Sequence, residues 1–376
     1  MYNEKDSLFW ERYMVANLFY KAEDLQDYMV RFFTKLNVPL QDAKQSAEIL
    51  LAADLHGINS HGIIRLYTYY GKRLKNHMMQ PVTNITIKNE TPATLAIDAG
   101  NGMGQVAGHY TMQKCIQKAK TAGICFATVC NSNHYGIAGY YAKMALAEDM
   151  IGMSFTNSQP LVAPTFGRTA ILGTNPIAVA APAKNERPYI LDMATSIVPL
   201  GKISVYDKAG EDIPEGWGVD NKGNMTTDPK DVLNGGALMP LGGPEIMRGY
   251  KGYGLGFMVD IFSGILSGAA YGPHVARPKS PEETANVGHF FAAINISFFR
   301  DVNEFKSDMD EMILALKNAP KAENQERIFI HGEKEIESSE KYLAGGIPLM
   351  ETVVDSLKEA GNEVGVPFEL TPLRIE

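Results

Sequence analysis

Ser60, His61, Arg65 and Tyr69 fall in one short run, NSHGIIRLYTYY, residues 59–70, at a spacing that a helix would turn into a single polar strip. At about 100° per residue, positions four apart lie within roughly 40° of one another around a helix. A guanidinium fork on that strip can hold a carboxylate through two parallel hydrogen bonds, and an imidazole beside it can move a proton near neutral pH. The run is therefore expected to form a helix capped by Asn59 or Ser60 and reaching about Leu74, with one face suited to binding an acid. A helix whose polar side is merely solvated is the plain alternative.

Three further stretches carry groups that could do chemistry. NSNHYGIAGYYA, residues 131–142, follows an apolar strand and precedes a helix. That places Ser132 and His134 at a strand's carboxyl end, where open α/β sheets put ligands; a capping turn around a buried histidine would read the same way. LGTNPIAVAAP, residues 172–182, is followed by LDMATS, residues 191–196, so that Asp192 and two hydroxyls stand where another strand ends. An aspartate there can hold a histidine in one tautomer and stabilise its charged form, or simply cap a turn. GYKGYGL, residues 249–255, combines backbone amides, a helix start and Lys251, which suits phosphate or another anion. It lacks the P-loop pattern, and a plain glycine turn before a buried helix is its alternative.

GNGMGQVAG resembles a dinucleotide fingerprint through Gly102, Gly104 and Ala107, but no Asp or Glu occurs between Asp98 and Glu148 to hold a ribose. A tight turn is expected there instead. Cys130 with His134, or His61, His109 and His134 together, could suggest a metal-dependent hydrolase. No second ligand pair and no H-E-x-x-H accompany them, so no metal is expected.

These groups need a sizeable scaffold, and 376 residues provide for two or three packed units at about 150 residues per domain. Hydrophobic residues at 45% and charged residues at 21% are ordinary globular values. A formal charge of -8 argues against nucleic acid or an anionic membrane as partner and leaves a small molecule. Three cysteines, Cys115, Cys125 and Cys130, make no disulfide framework, which fits a reducing cytoplasm. The opening MYNEKDSLFWERYM has no apolar stretch of signal length, and no segment has the roughly 20 apolar residues of a membrane span.

Along the chain, apolar residues from Tyr20 to Leu55 recur every three or four positions and Pro39 interrupts them, predicting two helices. From Thr83 the pattern becomes α/β: strands NITIKN, TLAID, CFATV, IGMSFT, ILGTNPIAVAAP, PYILDM and HFFAAINI, with helices at 105–121 and 137–148. Residues 207–243 read as a polar excursion over the surface, and amphipathic helix returns from Glu304. The divisions expected are 1–80, a helical segment; 81–303, an α/β core binding cofactor and substrate; and 304–376, a helical segment packing with the first.

SHGIIRL, NSNHYGIAGYYA, GTNPIAVAAP, LDMATS, GWGVDNKGNMTTDP and GYKGYGL occur in the order seen in the type II malate/L-lactate dehydrogenase family, which the chain resembles from about residue 25 to about 370. The resemblance implies a sulfolactate dehydrogenase-like α/β fold, with α/β/α layers, a mixed sheet and a helical domain, unlike the Rossmann dehydrogenases. It implies interconversion of a 2-hydroxy acid and a 2-oxo acid, malate first, lactate or sulfolactate next, with NAD or NADP in a homodimer. A non-catalytic NAD(P)-binding homologue is the other possibility it leaves. Carried over residue by residue, Ser60, His61, Arg65 and Tyr69 would contact substrate. Ser158, Asp192, Met193, Ala194, Lys251, His331, Gly332 and Glu333 would contact cofactor. His61 or His134 would move the proton. In the reading adopted from the sequence, Arg65 clamps the carboxylate, His61 takes the hydroxyl proton, Asp192 stabilises the imidazolium, and Arg65 and Lys251 serve the two anions on different walls of one cleft.

Overall fold

The computed structural model describes residues 17–376; the opening MYNEKDSLFWERYM lies outside them. Contacts divide the chain into a smaller unit, residues up to 75 with 335–376, and a larger unit, residues 76–334.

In the smaller unit the apolar periodicity yields helices Ala22–Lys35 and Leu40–Leu55. Pro39 stands just before the second, where its missing N–H costs nothing. Leu25, Tyr28, Met29, Phe32 and Phe33 are buried from the first helix and Ala47, Ile49 and Leu50 from the second. Tyr28 also meets Phe368 edge to face at 4.8 Å, so the C-terminal segment closes this core. Both ends share a sheet: Asn17–Tyr20 is the middle strand between Ile347–Met350 and Arg374–Ile375, antiparallel to each. Strands this short show too little alternation to be read from sequence.

The larger unit is built on a mixed seven-stranded sheet. Its strands are β1 (Thr86–Glu90), β2 (Thr94–Asp98), β3 (Ile124–Ser132), β4 (Met150–Thr156), β5 (Ile177–Ala181), β6 (Tyr189–Met193) and β7 (Val287–Asn295). They lie in the order β1-β2-β3-β7-β4-β5-β6. The β2–β3 pair is parallel and every other neighbour antiparallel, an arrangement that cannot make the parallel βαβαβ halves of a Rossmann sheet. β7 sits between β3 and β4, and its apolar run is buried because both faces are covered. Phe290 and Ala292 pack with Val259 of helix α3 (Tyr250–Asp260). Phe291, on the opposite face, meets Tyr141 of α2 (Ala138–Met144) and approaches Gly108 of α1 (Gly104–Ala122).

Two expectations change. The stretch 207–243 is not only a surface excursion. It forms a small three-stranded sheet, and Val219, Ala237 and Met239 share a buried cluster with Ala163, a core of a few residues that its polar composition hides. The C-terminal division falls after 334, not 303, because helix α4 (Val302–Lys317) belongs to the larger unit. The Asp310 carboxylate accepts the backbone N–H groups of Lys184, Asn185 and Glu186, and Lys317 bridges Glu186 and Glu333.

Candidate functional site

The run from Asn59 to Tyr70 does not form the regular helix that its spacing predicts. Asn59–His61 is a single 3-10 turn, and helix resumes only after Arg65, as a wide π-helical stretch at Leu66–Gly71 that continues into Lys72–Lys75. The interruption is caused by Asp54, at the end of the preceding helix. Its Oδ2 accepts the Ile63 N–H at 2.7 Å, while a Cβ on Gly62 would stand 1.9 Å from its Oδ1, so only glycine fits the turn. The groups are joined by another route: Arg65 Nε donates to the Ser60 carbonyl at 2.7 Å, and Ser60 Oγ lies 2.8 Å from His61 Nδ1. If His61 carries its proton on Nδ1 toward Ser60, Nε2 presents a lone pair able to accept one.

Two residues escaped the sequence reading. Asp54 is buried in an otherwise apolar stretch, and that incongruity was the available signal. Arg73, four residues beyond Tyr69, places its guanidinium 4.0 Å from the Tyr69 ring centre. The neighbouring Tyr70 hydroxyl is pushed well up by burial and by Tyr69, and pulled back by both Arg65 and Arg73.

Burial, and secondarily the Arg65 charge, hold His61 down to about 4, so its imidazole is neutral at neutral pH. Burial raises Asp54 to about 8. With a folded value above the unfolded 3.8, the neutral carboxyl favours the fold at low pH, and that contribution is lost as pH rises through about 8. Asp54→Asn keeps the acceptor for Ile63 without the ionisation. The melting-temperature difference, variant minus wild type, is therefore expected to climb between about pH 4 and pH 8 and to level above. A difference that does not vary with pH would show that Asp54 ionises as it does in water.

In the larger unit the His134 segment is held on every side. Asn133 Nδ2 donates to Asn101 Oδ1 at 3.0 Å and to the Gly102 carbonyl at 2.9 Å. A Cβ on Gly104 would lie 2.2 Å from the Asn133 carbonyl, so that glycine of the apparent fingerprint lets the start of α1 press on this segment, while Gly102 fits against Thr83. Tyr141 Oη donates to the Tyr135 carbonyl, and Asp192 Oδ2 accepts the Gly139 N–H at 2.7 Å. Gly136 N–H points at His134 Nδ1 from 3.3 Å, which favours the proton on Nε2.

β6 gathers the other residues. Thr195 N–H, just beyond Asp192, Met193 and Ala194, bonds the Thr174 carbonyl at 2.8 Å; Thr174 N–H in turn reaches Ser158 Oγ at 3.1 Å. Asn175 ties Ser158 to α3, accepting the Ser158 N–H at 3.1 Å and donating to the Gly256 carbonyl at 2.9 Å. Lys251 is exposed on the first turn of that helix, where the dipole adds to its charge. At the start of β6, Ile190 N–H bonds the His331 carbonyl at 3.0 Å, and Gly332 crosses Ile190 at φ +96°. Glu333 turns inward: its buried carboxylate pairs with Lys317 at 2.8 Å and Arg327 at 3.2 Å and accepts the Ile330 N–H at 3.0 Å. The Ser158 hydroxyl and the Lys251 ammonium are groups of the kind that a phosphodiester anion takes as donors.

A family model described as malate/L-lactate dehydrogenase matches residues 20–358. The chain belongs to that family. A malate dehydrogenase of Pyrococcus abyssi is 51% identical over 346 residues, 92% of this chain and 94% of the relative. An L-sulfolactate dehydrogenase of Methanocaldococcus jannaschii is 40% identical over 93% of this chain and 98% of its own. Among solved structures, a malate dehydrogenase from Entamoeba histolytica superposes with TM-score 0.90 at 36% identity, covering 94% of this chain and 100% of that one. This member of the malate/L-lactate dehydrogenase family is thus a 2-hydroxy acid dehydrogenase that uses a nicotinamide cofactor. Among its described residues, no three His, Cys, Asp or Glu side chains are grouped to hold a metal ion, and no helix is long and apolar enough to cross a membrane.

Proposed function

We propose that the enzyme interconverts malate and oxaloacetate, with NAD or NADP as hydride carrier, in the cytoplasm and as a homodimer. The observation that carries the choice of acid is a second guanidinium besides that of Arg65: Arg73, stacked 4.0 Å over the ring of Tyr69, further along the same stretch. An acid with two anionic groups suits two cations better than lactate does. The malate and sulfolactate dehydrogenases among the relatives are named for such acids. The unpaired, buried cysteines support a reducing compartment. The exposed stripe Phe257, Ile261 and Ile265 supports association with a second copy, and light scattering that gave a monomer at micromolar concentration would remove that part.

In this reading Arg65 holds the carboxylate next to the reacting carbon and Arg73 the distal one. When bound, the nicotinamide supplies a hydride to C2 of the oxo acid or receives one from the hydroxy acid. His61 Nε2 takes the hydroxyl proton during oxidation and returns it to the oxygen during reduction. His134 is the other candidate for that proton, with Nε2 as its donor to the substrate oxygen. Asp192 takes the orienting role toward the His134 segment, which its bond to Gly139 supports. Ser158, Met193, Ala194, Lys251 and the backbone of His331 and Gly332 hold the cofactor. Glu333 keeps that last loop in place with Lys317 and Arg327.

A screen of 2-oxo acids against NADH and NADPH, followed by loss of absorbance, tests the assignment directly. Arg73→Ala is expected to raise the KM for oxaloacetate about tenfold or more while changing that for pyruvate less than about twofold, the difference being one charge-assisted contact. Equal effects on the two acids would remove Arg73 from the substrate.

A further inference from the structure

His289, third residue of β7, is fully buried inside the sheet. It lies on the same face of β7 as Phe291, toward α1 and α2. Its Nδ1 stands 2.7 Å from Thr156 Oγ1 at the end of β4, and its Nε2 stands 2.8 Å from Ser132 Oγ at the end of β3. Because β7 runs between those two strands, one imidazole joins the ends of both. Its ring also stacks on Tyr135 with centres 4.5 Å apart and planes within 2°. Tyr135 is itself held, by its hydroxyl to Ser154 Oγ at 2.9 Å and by Tyr141 on its carbonyl.

Ser132 and Tyr135 flank His134 in sequence, so the buried ring is bonded on one side of that histidine and stacked on the other. Burial holds the His289 imidazole down to about 3, which keeps it neutral through any ordinary working pH. An apolar ring would fill the same space without needing two hydroxyl partners, so the polar ring is costly unless its bonds serve a purpose. We propose that His289 is a positioning residue for His134, fixing the segment Ser132–Tyr135 so that His134 Nε2–H keeps its aim at the substrate oxygen. This rests on the reading of His134 as donor to that oxygen.

His289→Phe retains the stacked ring and removes its hydrogen bonds, and Ser132→Ala removes one of them through a small, easily accommodated change. With oxaloacetate as substrate, His289→Phe is expected to lower kcat between about 10- and 100-fold, the scale of an ångström-sized misplacement, with the cofactor KM within about twofold. Ser132→Ala should act in the same direction by about 3- to 10-fold. Each should add no more than about twofold to the loss already caused by His134→Ala, because both losses pass through one side chain. A general packing defect would instead multiply with His134→Ala. Multiplying losses, or kcat within about twofold of wild type for folded His289→Phe, would overturn the positioning role; should that variant not fold, Ser132→Ala decides by the same criterion. His134→Ala with kcat within about twofold of wild type would overturn the donor reading itself, and this inference with it.

Discussion

Arg65→Ala is expected to raise the KM for oxaloacetate and to lower kcat, for a combined fall of about a thousandfold in kcat/KM. A fork holding a carboxylate makes two charge-assisted bonds at about 1.5–3 kcal/mol each, and about 4 kcal/mol is roughly a thousandfold. The kcat component has a separate cause. Arg65 Nε also bonds the Ser60 carbonyl, and Ser60 Oγ touches His61, so removing the guanidinium loosens the imidazole as well as the substrate. Arg65→Lys restores charge without the fork and should recover part of the KM effect but little of kcat. Steady-state kinetics with an unchanged KM for the variant would show that the carboxylate is held elsewhere.

His61→Ala is expected to lower kcat between about 100- and 10,000-fold, with a small change in KM, as befits a general base that binds little of the ground state. Its pH dependence follows from the two causes that hold His61 low. In the free enzyme, burial and then Arg65 keep it near 4, so kcat/KM for malate oxidation should show no His61 limb until pH falls toward that value. Once a substrate carboxylate pairs with Arg65, the repulsion from that charge is relieved and the imidazole holds a proton more readily. The acid limb of kcat, which reports the substrate complex, should therefore lie at higher pH than that of kcat/KM. Coincident limbs, or a His61→Ala enzyme that keeps the wild-type profile, would move the base to another residue.

Much of this was legible in residue types. A helix forms where apolar residues recur at three and four, as in Ala22–Lys35, and a buried strand where β-branched and aromatic residues run on, as in Val287–Asn295. The run from Ser60 to Tyr69, the His134 segment, Asp192 and Lys251 were each visible as polar groups at element ends. The missing acidic residue correctly argued against a Rossmann unit, and the structure shows Gly104 and Gly108 of that stretch serving helix packing.

What the sequence determined by itself was which elements exist and which chemistry their ends can offer, because periodicity and residue type act locally. What only tertiary structure decided was conformation imposed by distant partners. Asp54 breaks the helix that the spacing from His61 to Tyr69 predicts, because its buried carboxyl group takes the Ile63 N–H that a regular helix would have used. Glu333 faces inward because Lys317 and Arg327 meet it there, and His289 lies among hydroxyls that β3 and β4 bring from more than a hundred positions away. A buried polar group must find its partner wherever the fold supplies one, and that requirement leaves no mark in local spacing.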